Sequence, residues 1–127
     1  MSFDWSAYRE VAETLSQKAD EASLRSAISR AYYCAYHLAV GHLSEHFNFQ
    51  VSKDKSHDTV WRTFSTKGRS YGEVWSKGDK LKKLRVDADY DSNAVIRDET
   101  AAFSLQLADR IVTILQGINQ QRSSNPS

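Results

Sequence analysis

Residues 21–47 constrain the fold more than any other stretch. At about 100° per residue, Leu24, Ala27, Ile28, Cys34, Ala35, Leu38 and Ala39 fall on one side of a helix. Tyr32, Tyr36, Val40 and Leu43 widen that arc. So wide an apolar arc must pack against more than one neighbour. The spacing therefore predicts a central helix over 21–47 with the rest of the chain wrapped around it. Only a thin polar line is left over: Ser26, Arg30, Tyr33, His37 and Ser44. Residues three and four apart are helix-surface neighbours, so Arg30, Tyr33 and His37 form one row facing a partner subunit, a cleft or water.

Nothing interrupts helix formation elsewhere, because the only proline is Pro126. No sustained alternation marks a strand, so the chain reads as all-α, an up-and-down bundle of four to five helices. A first helix is expected from a cap at Asp4 or Ser6 to about Lys18, with Trp5, Tyr8, Ala12 and Leu15 as its stripe. Asp20 is the expected cap of the central helix, and the short join makes the two a tight hairpin. A short third helix capped by Ser56 carries Val60, Trp61 and Phe64. A fourth spans about Tyr71 to Ala88, with Val74, Leu81, Leu84 and Ala88 on one face. Gly72 and Gly78 weaken it by about 1 kcal/mol each relative to Ala. The last helix follows a turn at Asp91–Asn93 and ends near Ile118, with Ile96, Phe103, Leu107, Ile111, Ile114 and Ile118 buried. This gives a single helical domain over 1–119 and a disordered polar tail over 120–127.

The formal net charge of +1 provides no bulk attraction to nucleic acid or membrane. The charge is uneven, however: residues 51–91 hold ten of the 17 Lys and Arg. No apolar run reaches membrane-spanning length, and no leader pattern opens the chain. The lone Cys34, on the core side of its helix, fits a reducing compartment. A cytoplasmic protein without membrane contact is expected.

Two constellations carry chemistry. In the first row, the Arg30 guanidinium offers a planar donor fork for phosphate, and the His37 imidazole can move a proton near neutral pH. Together they suffice for metal-free cleavage of an RNA backbone, with Arg30 and His37 as catalytic candidates and Tyr33 in a binding role. The alternative is that Arg30 pairs with an acid on a neighbouring helix while Tyr33 and His37 make buried hydrogen bonds. The second constellation is Leu81–Asp91. Arg85 can pair with Asp89, and Lys83 with Asp87. Lys77, Lys80, Lys82, Lys83 and Arg85 form a basic patch able to meet phosphate, or else a solvated face. Lys82, Arg85, Asp89 and Tyr90 join the binding candidates. His42 and His46 stand four apart, but no carboxylate or thiolate cluster completes a metal site. No cofactor is expected.

Three segments in series resemble the HEPN domain family: Ser29-Arg-Ala-Tyr-Tyr-Cys-Ala-Tyr-His37, His57-Asp-Thr-Val-Trp-Arg-Thr-Phe64, and Leu84-Arg-Val-Asp-Ala-Asp-Tyr-Asp91. The resemblance runs from about Tyr8 to Ile118. It implies a helical bundle that forms homodimers and binds RNA, a nucleotide or a partner protein in toxin–antitoxin or phage-defence systems. Some such domains are metal-independent ribonucleases, and others accompany a small nucleotidyltransferase. Ribonuclease members carry an Arg with His four to six residues later, just before the last helix. This chain departs there: Val86 follows Arg85, and Tyr90 and Asp91 stand where His is sought. Arg30 and His37 satisfy the spacing when the six residues between them are counted, but on the long helix. The resemblance thus implies a dimeric binding module. Its alternatives are an endoribonuclease using Arg30 and His37 or Arg85, and a purely structural subunit.

Overall fold

The computed structural model describes residues 2–51 and 57–124. Five helices follow one another: α1 Ala7–Ser16, α2 Glu21–Phe47, α3 His57–Phe64, α4 Gly72–Tyr90 and α5 Asp98–Ser124. A 3₁₀ turn, Arg69–Tyr71, leads into α4. The all-α bundle expected from the hydrophobic periodicity is the observed architecture, with no strand among the described residues.

The central helix has the predicted bounds. The Asp20 carboxylate accepts the Ser23 N–H at 2.9 Å, satisfying one of the four orphan donors of a helix start. At the other end Asn48 adopts φ 55°, the left-handed conformation that Asn tolerates. The Phe49 N–H then folds back on the Leu43 carbonyl at 3.2 Å. Between these caps α2 packs against α1, α4 and α5. Ala27, Ile28, Ala31, Tyr32, Ala35, Ala39 and Leu43 lose all exposure.

The core has two parts. The larger gathers Tyr32, Leu43, Trp61, Phe64, Val74, Leu81 and Ile111. A smaller one joins the start of α2 (Leu24, Ile28) to the exit of α4 (Ala88) and to Ile96 and Ala101. Gly78 is buried beneath the Trp61 ring, which occupies the space a Cβ would need. The glycine that weakens α4 locally is what lets α3 approach it. At the bundle surface Arg9 ties α1 to α5 through Asp109, at 2.5 and 2.8 Å. Arg110 ties α5 to Glu73 of α4 at 2.7 Å.

Several local expectations are corrected. In α1, Ser6 is helical and makes no side-chain cap; Asp4 instead accepts from the Ser6 N–H and hydroxyl at 3.0 and 2.6 Å. The expected Ser56 cap lies outside the described residues. The last helix begins at Asp98, so the buried Ile96 belongs to the preceding connection. There the Arg97 N–H donates to Thr100 Oγ1 at 3.2 Å. Helix α5 continues through Gln120 and Gln121 to Ser124, because good helix formers occupy these positions and no proline stops it. Phe103 is 39% exposed, with the Lys80 ammonium 5.3 Å from its ring. Lys83 pairs back to Asp79 at 3.0 Å rather than forward to Asp87, the orientation favoured by acid-before-base spacing.

Candidate functional site

Polar and aromatic side chains from four segments meet on one face of the bundle. The residues before α1 contribute Trp5. Helix α2 contributes Tyr32, Tyr33, Tyr36 and His37, α3 contributes His57, and α4 contributes Arg85. The Trp5 and His37 rings stack at 3.6 Å. His37 lies 6.0 Å from Tyr33 and meets Tyr36 edge-on at 5.3 Å. Tyr36 stacks on His57 at 4.2 Å, and His57 is parallel to Tyr32 at 5.5 Å. Two imidazoles thus flank Tyr36 in a continuous aromatic band.

Arg85 closes one end of the band. Its guanidinium carbon lies 5.1, 5.5 and 5.7 Å from the rings of Tyr32, Tyr33 and Tyr90. The expected pair with Asp89 forms at 3.6 Å, and Ser29 donates to the same carboxylate oxygen at 3.2 Å. Arg85 is nevertheless buried rather than on the helix surface, and its Nε has no partner among the described residues. A buried unsatisfied donor is costly. Tyr90 is 76% exposed and covers this guanidinium from the solvent side.

The other predicted residues fall as follows. Arg30 is exposed and lies 4.9 Å from the Tyr8 ring. It has no carboxylate partner among the described residues. Trp5 and Tyr8 meet edge-on at 5.3 Å between Arg30 and His37, so these two catalytic candidates are linked through aromatic rings. Lys82 is ion-paired with Asp58 of α3. The expected basic patch does not form as one surface. Lys82 and Arg85 turn towards α2 and α3, while Lys77 pairs with Glu73 at 3.5 Å and Lys80 lies over Phe103. Helical rotation separates them, because positions 77, 80 and 83 share a face that 82 and 85 do not.

His57 is a member of this band that the Arg–His spacing does not single out. Its signal was legible: 57, 60, 61 and 64 recur at helical spacing, which puts the imidazole on the buried face of α3 with Val60, Trp61 and Phe64. The structure adds that His57 Nδ1 lies 2.7 Å from Tyr32 Oη, which accepts the Trp61 indole N–H at 3.1 Å. The remaining histidines lie elsewhere: His42 Nε2 is 2.7 Å from the Tyr71 hydroxyl, and His46 Nε2 is 2.6 Å from Asn119 Oδ1. No group of three metal-ligating side chains converges among the described residues. Cys34 is buried, and burial pushes its thiol up to about 11.

Burial holds the His37 imidazole below the usual histidine range. His57 is likewise lowered, first by burial and then by Arg85, Lys82 and His37, against the opposing Asp58. Both rings are therefore neutral near pH 7 and charge more readily when unfolded. Their contribution to stability is fully present above about pH 6.5 and is lost as pH falls through their lower folded values. The melting temperature should fall between pH 7.5 and 5.5, and a His37→Gln, His57→Gln double variant should flatten that slope. An equal slope in the variant would assign the effect to other groups.

The helical bundle with one aromatic and cationic face defines the class. The family model for the HEPN domain matches residues 8–118, and the chain belongs to that family. No curated protein and no solved structure matches it. Among the described residues no helix is long and apolar enough to cross a membrane.

Proposed function

We propose that this protein is an RNA-binding HEPN module that acts as a homodimer in the cytoplasm, in a toxin–antitoxin or phage-defence type of system. A nucleotide is the smallest ligand of the same chemistry, and a nucleotidyltransferase-type protein is the proposed partner. The observation that carries the reading is Arg85: a guanidinium enclosed by three tyrosines, with an unpaired Nε, beside a band of stacked rings. Cationic groups take phosphate, and the half-buried rings of Trp5, Tyr33 and His37 and the exposed ring of Tyr90 offer stacking for unpaired bases at about 1–3 kcal/mol per stacked base. Single-stranded RNA fits such a surface better than a duplex, whose bases are already stacked. Tyr33, Tyr90, Lys82 and Asp89 border the phosphate position, and Tyr90 must turn aside to admit it.

The two imidazoles on either side of Tyr36 favour a second reading, a metal-independent endoribonuclease. In that reaction a ribose 2′-hydroxyl attacks the adjacent phosphorus and loses its proton to a base. The departing 5′-oxygen takes a proton from an acid, leaving a 2′,3′-cyclic phosphate. Arg85 or Arg30 would stabilise the charge that develops on phosphorus, and His37 would serve as acid or base.

One experiment separates these readings. End-labelled single-stranded RNA is incubated in EDTA with wild type, His37→Ala and Arg85→Met, the last retaining an apolar stem between the tyrosines. Salt-sensitive binding without cleavage, weakened at least tenfold in Arg85→Met, is the expected result. Cleavage that disappears in His37→Ala establishes the enzyme instead. Neither binding nor cleavage leaves a structural subunit.

A further inference from the structure

We infer that His57 presents its Nε2–H as an orientation-fixed donor to an oxyanion of the phosphate class, with Trp61 and Tyr32 as the positioning residues behind it. This deepens the proposed reading of the same face, and it rests on that reading for the phosphate's being part of RNA.

The donor chain follows from leaving no buried donor unsatisfied: an Nδ1–H could also donate to Tyr32 Oη, but the phenol's own proton would then have no acceptor among the described residues. An indole N–H can only donate, so the 3.1 Å contact makes Tyr32 Oη an acceptor from Trp61. The phenol has one proton of its own. His57 Nδ1, at 2.7 Å, is the acceptor that the structure provides for it. Nδ1 therefore carries a lone pair, and the proton of the neutral ring sits on Nε2. Burial reinforces this order, because Tyr32 is fully buried and its hydroxyl stays protonated well above the usual phenol range. The ring plane is set by Tyr36, stacked at 4.2 Å, and by the near-parallel Tyr32 at 5.5 Å, whose hydroxyl meets its Nδ1 edge.

The charges around the imidazole suit an anion. From α4 the neighbouring groups are Arg85 and Lys82, from α2 His37 and the phenols of Tyr32, Tyr33 and Tyr36, and on α3 itself Asp58. Lys82 is already matched to Asp58, and Arg85 is only loosely matched to Asp89, at 3.6 Å. Protonating His57 in the empty site adds a cation beside a guanidinium and takes away the acceptor of the Tyr32 proton. A phosphate oxygen at Nε2 offsets the first of these costs. The second cost remains, so the neutral ring is the form the relay presents to the anion.

The test reads the imidazole directly. In protein labelled with ¹⁵N-histidine, long-range ¹H–¹⁵N spectra at pH 7.5 should show His57 as the Nε2–H form. Titration with inorganic phosphate at pH 7.5 should shift the His57 resonances. Tyr32→Phe keeps the ring in the core but deletes the relay, and should give a mixture of both neutral forms and a weaker phosphate response. A wild-type Nδ1–H form, unshifted His57 resonances under phosphate, or an unchanged tautomer in Tyr32→Phe each overturns the inference. If phosphate shifts His57 but single-stranded RNA does not bind, the RNA reading fails while the phosphate site stands.

Discussion

Gly78→Ala should lower the stability of this protein by about 3 kcal/mol, although alanine is the better helix former by about 1 kcal/mol. The added methyl would fall inside the Trp61 ring, against Cε3, Cδ2 and Cζ3. Relief by moving the ring is blocked on two counts. Trp61 is 1% exposed within the main core, and its indole N–H is held by Tyr32. The sign of the effect depends on that ring alone. In a Trp61→Leu background the obstruction is gone, and the same substitution should become neutral or stabilising by up to about 1 kcal/mol. Urea unfolding of the four proteins in this cycle gives the coupling. A neutral Gly78→Ala in the wild-type background would mean that α3 and α4 are not seated as described. The cycle also bears on the site, since displacing Trp61 removes the donor that orders Tyr32 and His57.

The central helix and its caps were readable because their signals are local. An acidic cap before a long apolar arc needs no tertiary knowledge. Gly78 shows the opposite case: in sequence it is only a weak helix position, and the ring that requires it lies 17 residues earlier on another helix. Arg85 was read in a run of lysines, where a solvated cation is the natural expectation. Its burial arises from three tyrosines, two of them on α2. The row of Arg30, Tyr33 and His37 was placed on one face by spacing. The insertion of Trp5 and Tyr8 between its ends depends on how α1 docks, which periodicity does not specify. His57 was within reach of the sequence, since its register with Val60, Trp61 and Phe64 is visible. The Arg–His spacing that the family resemblance supplies points instead to the long helix.

Arg25→Ala should cost about 2 kcal/mol and weaken RNA binding without removing any group proposed to touch RNA. Helix α4 ends in carbonyls with few partners of their own, as every helix does. One guanidinium collects them: Arg25 Nη1 lies 3.2, 3.0 and 2.9 Å from the carbonyl oxygens of Asp87, Ala88 and Asp91. Its Nη2 reaches that of Ala94 at 3.0 Å, and Glu21 holds its Nε at 3.0 Å. Water can replace some of these bonds, which keeps the cost near 2 kcal/mol rather than at the sum of the contacts. Water cannot hold the α4 exit against α2, and that exit carries Arg85, Asp89 and Tyr90. Loosening it lets Asp89 leave Ser29 and frees Tyr90 to sample positions that no longer frame the guanidinium. Arg25→Lys, with a compact ammonium in place of a planar fork, should recover only part of both losses. Thermal melts and RNA titrations on the same preparations test this. A lowered melting temperature with unchanged affinity would separate the staple from the site, and an unchanged melting temperature would remove the staple altogether.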